Sequence, residues 1–237
     1  MRKLLLISNS TNLGEPYLDY PKSEIRDFLG TRPVQALFIP YAAVTFPYDE
    51  YEEMVKSRFN EMGHDVVGIH RFEDPVKAVA EAQAIVVGGG NTWVLTRMLR
   101  HEALFEPIRR RVNEGVPYIG WSAGSNVACP TLRTTNDMPV VDPCGFETMG
   151  LVPFQINPHY LDDSPANHAG ETREMRIIEF LAENPNLYVV GLREGTMLKV
   201  EGDRMRLIGT KTARFFKYGQ EPEELGCDDD FDFLLRK

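Results

Sequence analysis

Cysteine is scarce in this chain. Its 237 residues include 3 cysteines, Cys129, Cys144 and Cys227, too few for a disulfide framework and without the C-x-x-C spacing of a zinc knuckle. They are expected to be buried or spare thiols of a reducing compartment. Basic charge is in deficit too: 26 Lys and Arg stand against 35 Asp and Glu, for a net charge of -9. An acidic surface repels phosphate backbones and excludes a general nucleic-acid binder. Long apolar runs are missing. Leu4-Leu5-Leu6-Ile7 follows Met1-Arg2-Lys3, but the run is too short for a signal peptide, and Ser8-Asn9-Ser10-Thr11 offers no small-residue cleavage pattern. No run approaches the ~20 residues that span a membrane. A cytoplasmic protein with no membrane or nucleic-acid partner is expected. Internal repeats and linkers are also absent, so one domain over residues 1–237 is expected.

What is present is ordinary globular usage, 43% hydrophobic and 26% charged, enough to bury a substantial core. Near-continuous apolar runs at Leu4–Ile7, Ala36–Ile39, Val66–Ile69, Ala84–Val87 and Tyr118–Ile119 read as strands buried on both faces. Helical patterns separate them at Tyr51–Met62, Pro75–Ala82, Asn91–Leu99 and Glu106–Glu114. This β-α-β-α order predicts an α/β fold, a parallel sheet with helices on both sides. The second half is less regular. Ala128–Pro158 carries five prolines and reads as loops and short strands. Gly170–Glu183 predicts a helix with Met175, Ile178 and Leu181 on one face. Leu187–Gly191, Met197–Val200 and Met205–Ile208 predict strands, the last two a hairpin around Glu201-Gly202-Asp203. The acidic tail, about 221–237, is expected to be solvated, and its Asp spacing does not match a calcium loop.

The sharpest chemical signal is Gly120-Trp121-Ser122-Ala123-Gly124. It fits G-x-S-x-G between a predicted strand and a predicted helix, the context of a nucleophile elbow. A tight strand-to-helix turn needs glycine two residues either side of the serine, where a Cβ would clash. Upstream, Val86-Val87 runs into Gly88-Gly89-Gly90-Asn91-Thr92. An amide such as that of Gly90 could join that of Ala123 in an oxyanion hole. The same turn could cradle a phosphate, but it lacks G-x-G-x-x-G and a G-K-[ST] ending. Among the histidines, His64, His70 and His101 read as surface or edge residues and His168 lies in a polar loop. His159, stiffened by Pro158, leads as the base. Glu194, just after a predicted strand, and Asp137, in Thr134-Thr135-Asn136-Asp137-Met138-Pro139, compete as the orienting acid.

The blocks Leu5–Thr11, Val86–Thr92, Ile119–Gly124, Thr134–Pro139, Gln155–His159 and Gly170–Glu174, in this order, resemble the peptidase E family of α-aspartyl dipeptidases. The resemblance implies a class I glutamine amidotransferase-like (flavodoxin-like) fold, a three-layer α/β/α sandwich around a mostly parallel sheet. It implies hydrolysis of Asp-Xaa dipeptides without cofactor or metal, through an aspartyl-enzyme intermediate. Ser122 then matches the nucleophile and His159 the base. Glu194 is favoured as the acid, with Asp137 as the alternative or a substrate-site residue. An anionic substrate and an acidic protein demand a local cation, and Arg173 in Gly-Glu-Thr-Arg-Glu is the expected one, with Asn91 and Thr92 as further substrate contacts. The expected partner is the small-molecule dipeptide alone, and the expected state a monomer or homodimer. The competing readings are a cyanophycinase-like β-aspartyl peptidase, an ordinary esterase, and a phosphate-binding module without catalysis.

Overall fold

The computed structural model describes residues 1–162 and 170–236. Five parallel strands form the centre, in the order β3-β2-β4-β5-β1. They are β1 (Lys3–Ile7), β2 (Gln35–Ile39), β3 (Asp65–Gly68), β4 (Ile85–Val87) and β5 (Tyr118–Trp121). Their continuous apolar character has a direct cause: successive side chains point to opposite faces, and both faces are covered. Leu5, Ile7, Phe38, Val86 and Ile119 pack on one side with α1 (Lys22–Leu29) and α2 (Tyr48–Glu61). Leu4, Leu6, Leu37, Ile39, Ile85 and Val87 pack on the other with α3 (Pro75–Glu81), α4 (Thr92–His101) and α5 (Phe105–Asn113). The result is the expected α/β/α sandwich. A four-residue helix, α6 (Ala123–Asn126), follows β5.

A second sheet was not anticipated. Its order is β11-β10-β7-β6, from β6 (Gln155–Tyr160), β7 (Tyr188–Arg193), β10 (Ala213–Lys217) and β11 (Glu223–Leu225). It packs its Ile156, Val190, Leu192 and Phe215 into the same core as α4 and α5. Its other face is covered by α7 (Arg173–Glu183), through Ile177 and Leu181 against Tyr160, Val189 and Phe216. The predicted stripe on α7 is therefore corrected. Leu181 is buried, but Met175 and Ile178 are 54% and 50% exposed. The expected hairpin is present as β8 (Met197–Glu201) and β9 (Arg204–Ile208), and it extends the main sheet antiparallel to β1.

The acidic tail is not simply solvated. Phe231 and Leu234 are buried, and an Asp232 oxygen accepts the Met205 amide at 2.7 Å. Glu224 pairs with Arg193 and Arg214. Aromatic and leucine anchors thus hold the segment down while its acids find arginines. No helix among the described residues is long and apolar enough to cross a membrane.

Candidate active site

Candidate site residues gather at the carboxyl ends of the strands, where open α/β sheets place their ligands. β5 ends at Trp121 and the chain reverses at Ser122, whose φ is 52° and ψ -111°. A non-glycine residue rarely holds such a backbone, which costs about 1–3 kcal/mol. The neighbours impose it. A Cβ at Gly120 would lie 2.4 Å from Gly124 O, and one at Gly124 would lie 2.2 Å from Val87 O. Only glycines let α6 leave the strand so abruptly.

His159 arrives from β6 by a second irregularity. Pro158 pairs with Leu192 and Tyr160 with Arg193, so His159 is the extra residue of a β-bulge. Its φ is 53°, and the bulge aims the ring at Ser122. The imidazole Nε2 lies 2.9 Å from Ser122 Oγ, and Nδ1 lies 2.7 Å from Glu194 Oε1. A carboxylate can only accept, so Nδ1 carries the proton and Nε2 is left to accept from the serine hydroxyl.

Two residues not among the expected site residues, both within the Leu5–Thr11 block, hold this arrangement. Ser8, fully buried just past β1, accepts the His159 amide at 3.0 Å and donates to Leu192 O at 2.7 Å. Asn9 Oδ1 accepts the Gly195 amide at 2.9 Å, which fixes the turn carrying Glu194. They occupy the Ser8-Asn9-Ser10-Thr11 run, a polar stretch directly after a buried strand. That position was the available signal.

The glycine turn after β4 lies beside the nucleophile. A Cβ on Gly89 would fall 3.1 Å from Ser122 Cβ, and Gly90 has φ +132°. Tyr51 pins the turn by donating to Gly89 O at 2.9 Å, and Trp121 Nε1 donates to Tyr51 at 3.2 Å. A pocket of about 410 Å³ opens here, lined by Ser122, His159, Gly89, Gly90, Asp137 and an aromatic wall that includes Tyr17, Phe46 and Tyr51.

The remaining expected residues divide. Asp137 lines the pocket but makes no bond to the imidazole. Its Oδ2 accepts the Thr92 amide at 2.7 Å and the Thr92 hydroxyl at 2.6 Å. Thr92 is buried and thus supports Asp137 rather than facing the pocket. Asn91 is also occupied elsewhere: it caps α4 through Val94 N at 3.1 Å and donates to Met138 O at 3.1 Å. Both polar side chains are thus engaged within the protein, on the start of α4 and on the 137–138 segment.

Arg173, at the first position of α7, lines an adjoining pocket of about 180 Å³ that also contains Asp137. It donates to Asn136 Oδ1. The acids beside it in sequence are engaged elsewhere, Glu171 with Arg176 and Glu174 with Arg214. Among the described residues Arg173 has no carboxylate partner within ion-pair distance. Burial, then the nearby charge of Arg176, pull its pKa below the usual arginine value, against a smaller opposing pull from the charge of Asp137.

The other histidines are elsewhere. His101 is exposed beside Glu102. His70 pairs with Asp49 at 2.9 Å. His64 departs from the expected surface position: it is buried, accepts the Val34 amide at 3.3 Å, and burial lowers its pKa. His168 lies outside the described residues. Asp49, Glu52 and His70 could together offer three metal ligands, but the Arg71 guanidinium already bridges the two acids, at 3.0 Å and 2.6 Å.

The family model described as peptidase family S51 matches residues 4–208. The chain belongs to peptidase family S51. It is similar to peptidase E of Nostoc sp., 52% identical over 236 residues, with 100% of this chain and 98% of that protein covered. It is 47% identical to peptidase E of Salmonella newport over 219 residues, covering 92% and 95% of the two chains. Among solved structures, a peptidase from an acI-B1 Actinobacterium superposes with a TM-score of 0.70 at 18% identity, covering 98% and 96%; that likeness speaks to the fold alone. The S51 chain is thus a serine-type peptidase.

Proposed function

We propose that the chain hydrolyses dipeptides with an N-terminal aspartate, with Ser122 as nucleophile, His159 as base and Glu194 as the acid that orients it. Arg173 carries the specificity reading. In a protein of net charge -9, it is a partly buried cation with no ion-paired acid among the described residues, in a pocket that shares Asp137 with the pocket of the nucleophile. A guanidinium gives two parallel donors to a carboxylate. A neutral side chain in that place would leave the buried charge unpaired. The relatives named peptidase E and the sequence blocks shared with α-aspartyl dipeptidases support the same substrate.

The chemistry follows from the relay. Nε2 of His159 takes the Ser122 proton as Oγ attacks the aspartyl carbonyl carbon. Glu194 stabilises the imidazolium through Nδ1–H. The amides of Gly90 and Ala123 receive the oxyanion. The imidazolium then protonates the leaving amine and the C–N bond breaks, leaving an aspartyl ester on Ser122. Water, deprotonated by Nε2, attacks that ester and restores the enzyme. The aromatic wall of the pocket takes the leaving residue. Free thiols and the lack of a membrane-spanning helix among the described residues fit work in the cytoplasm.

The test is hydrolysis of Asp-Leu beside Glu-Leu, Ala-Leu and β-Asp-Leu, with Ser122→Ala as control and EDTA present. The reading expects cleavage of Asp-Leu alone, lost in the variant and unaffected by EDTA. Cleavage of β-Asp-Leu alone would replace it with a β-aspartyl peptidase.

A further inference from the structure

Asp137 is a carboxylate that lines the pocket of Ser122 and makes no hydrogen bond to the Ser122–His159–Glu194 relay. It borders both the pocket of Ser122 and the adjoining pocket of Arg173. Its two oxygens are treated very differently. Oδ2 accepts the Thr92 amide at 2.7 Å and the Thr92 hydroxyl at 2.6 Å, with the Thr135 hydroxyl at 3.0 Å. Oδ1 accepts no hydrogen bond among the described residues, and no lysine, arginine or histidine among them lies within ion-pair distance of either oxygen. The carboxylate is therefore fixed in plane by one oxygen while the other is left open.

The charge of Arg173 acts on Asp137 only through space, and the open oxygen is a ready partner for an arriving cation. The substrate brings one. The α-ammonium of a dipeptide sits on the carbon bonded to the carbonyl that Ser122 attacks, so it must lie within a few ångströms of the nucleophile. The aminoacyl half of an Asp-Xaa substrate carries this ammonium and a β-carboxylate. Asp137 and Arg173 present the opposite charges from one shared border.

We propose that Asp137 is the anchor for the substrate's free α-ammonium, the residue that makes this hydrolase act only on an unblocked N-terminus. The proposal rests on the aspartyl dipeptidase reading. It assigns Asp137 a role in substrate recognition, whereas a triad acid would act on the imidazole. It also fixes which bond is cut: with the ammonium seated at Asp137, only the first peptide carbonyl reaches Ser122 Oγ.

The experiment measures kcat and KM for Asp-Leu and for N-acetyl-Asp-Leu in the wild type and in Asp137→Asn, together with the labelling rate of Ser122 by a fluorophosphonate. The wild type is expected to prefer the free dipeptide by about 10²-fold or more, as sites built around a buried charge do. Asp137→Asn is expected to raise KM for Asp-Leu and to bring the two substrates within about tenfold of each other. Fluorophosphonate labelling should fall far less than peptide turnover, because the relay does not pass through Asp137. A wild type that cleaves both substrates equally would overturn the anchor while leaving the aspartyl reading intact. Labelling and turnover lost together in a folded Asp137→Asn would also overturn it and return Asp137 to the relay. A wild type that cleaves neither peptide would remove the aspartyl reading and the anchor with it.

Discussion

Both residues at the centre of the relay, Ser122 and His159, hold a positive φ, 52° and 53°. Each is forced by its setting, the glycine-flanked elbow at Ser122 and the bulge in β6 at His159. Strain of this kind persists only where the surroundings over-determine it, and here it sets the 2.9 Å contact between Oγ and Nε2. Ser122→Ala and His159→Ala should each lower kcat by about 10⁴–10⁶-fold, since relay members act as a unit. Glu194→Gln should cost about 10²–10⁴-fold by disturbing the imidazole's tautomer. Steady-state kinetics on Asp-Leu check all three, and a Glu194→Gln enzyme of near-normal rate would deny Glu194 its part. Ser122 stands out in the sequence because G-x-S-x-G is a self-contained local motif, whereas His159 only leads a choice among five histidines until the fold brings its ring to the serine. The choice between Glu194 and Asp137 was not legible there, because it depends on a distance across the fold. Asn91 and Thr92 were read as substrate contacts for the same reason: residue type was visible, but not the Asp137 and Val94 partners that engage them.

At the scale of elements, the five parallel strands were legible because burial on both faces leaves an unbroken apolar run. The second sheet was not. β10, Ala213–Lys217, sets buried Ala213, Phe215 and Phe216 beside the partly exposed Arg214 and Lys217, a short mixed run that is a weak strand signal. The amphipathic α1 gives a weak signal too, with Ile25 and Phe28 as its buried residues in an otherwise polar helix. The tail read as solvated because its acids outnumber Phe231 and Leu234, the residues that dock it. Glu224 shows what the acids do there. Hydrogen bonds from Arg193 hold its carboxyl down at about 2, against an ordinary 4.5. An acid depressed in the folded state stabilises fully above its unfolded pKa and loses that contribution as pH falls through the folded one. Thermal melts should therefore show Glu224→Gln with a lower Tm than the wild type at pH 7. The difference should shrink between about pH 4.5 and pH 2. Because the pair is partly exposed, with 40% of the Glu224 side chain accessible, added salt should also reduce it. Equal Tm values at pH 7 would mean that the arginine pairs do not hold the segment.

At the scale of the whole molecule, the charge balance opposes the proposed substrate. A net charge of -9 repels an aspartyl side chain at long range, so recognition of such a side chain has to be local, and Arg173 is the proposed place for it. Its sequence neighbours Glu171 and Glu174 could have neutralised it, but the fold draws them away, to Arg176 and Arg214. This separation could not be seen in Gly-Glu-Thr-Arg-Glu, where the acids flank the arginine. The central claim is that a single partly buried arginine selects the aspartyl side chain by its charge. Its most direct test is the ratio of kcat/KM for Asp-Leu to that for Asn-Leu, two peptides of nearly equal shape that differ in that charge. The account predicts a ratio of about 10³ or more in the wild type, reduced to within about tenfold by Arg173→Met. A wild-type ratio near one would contradict it.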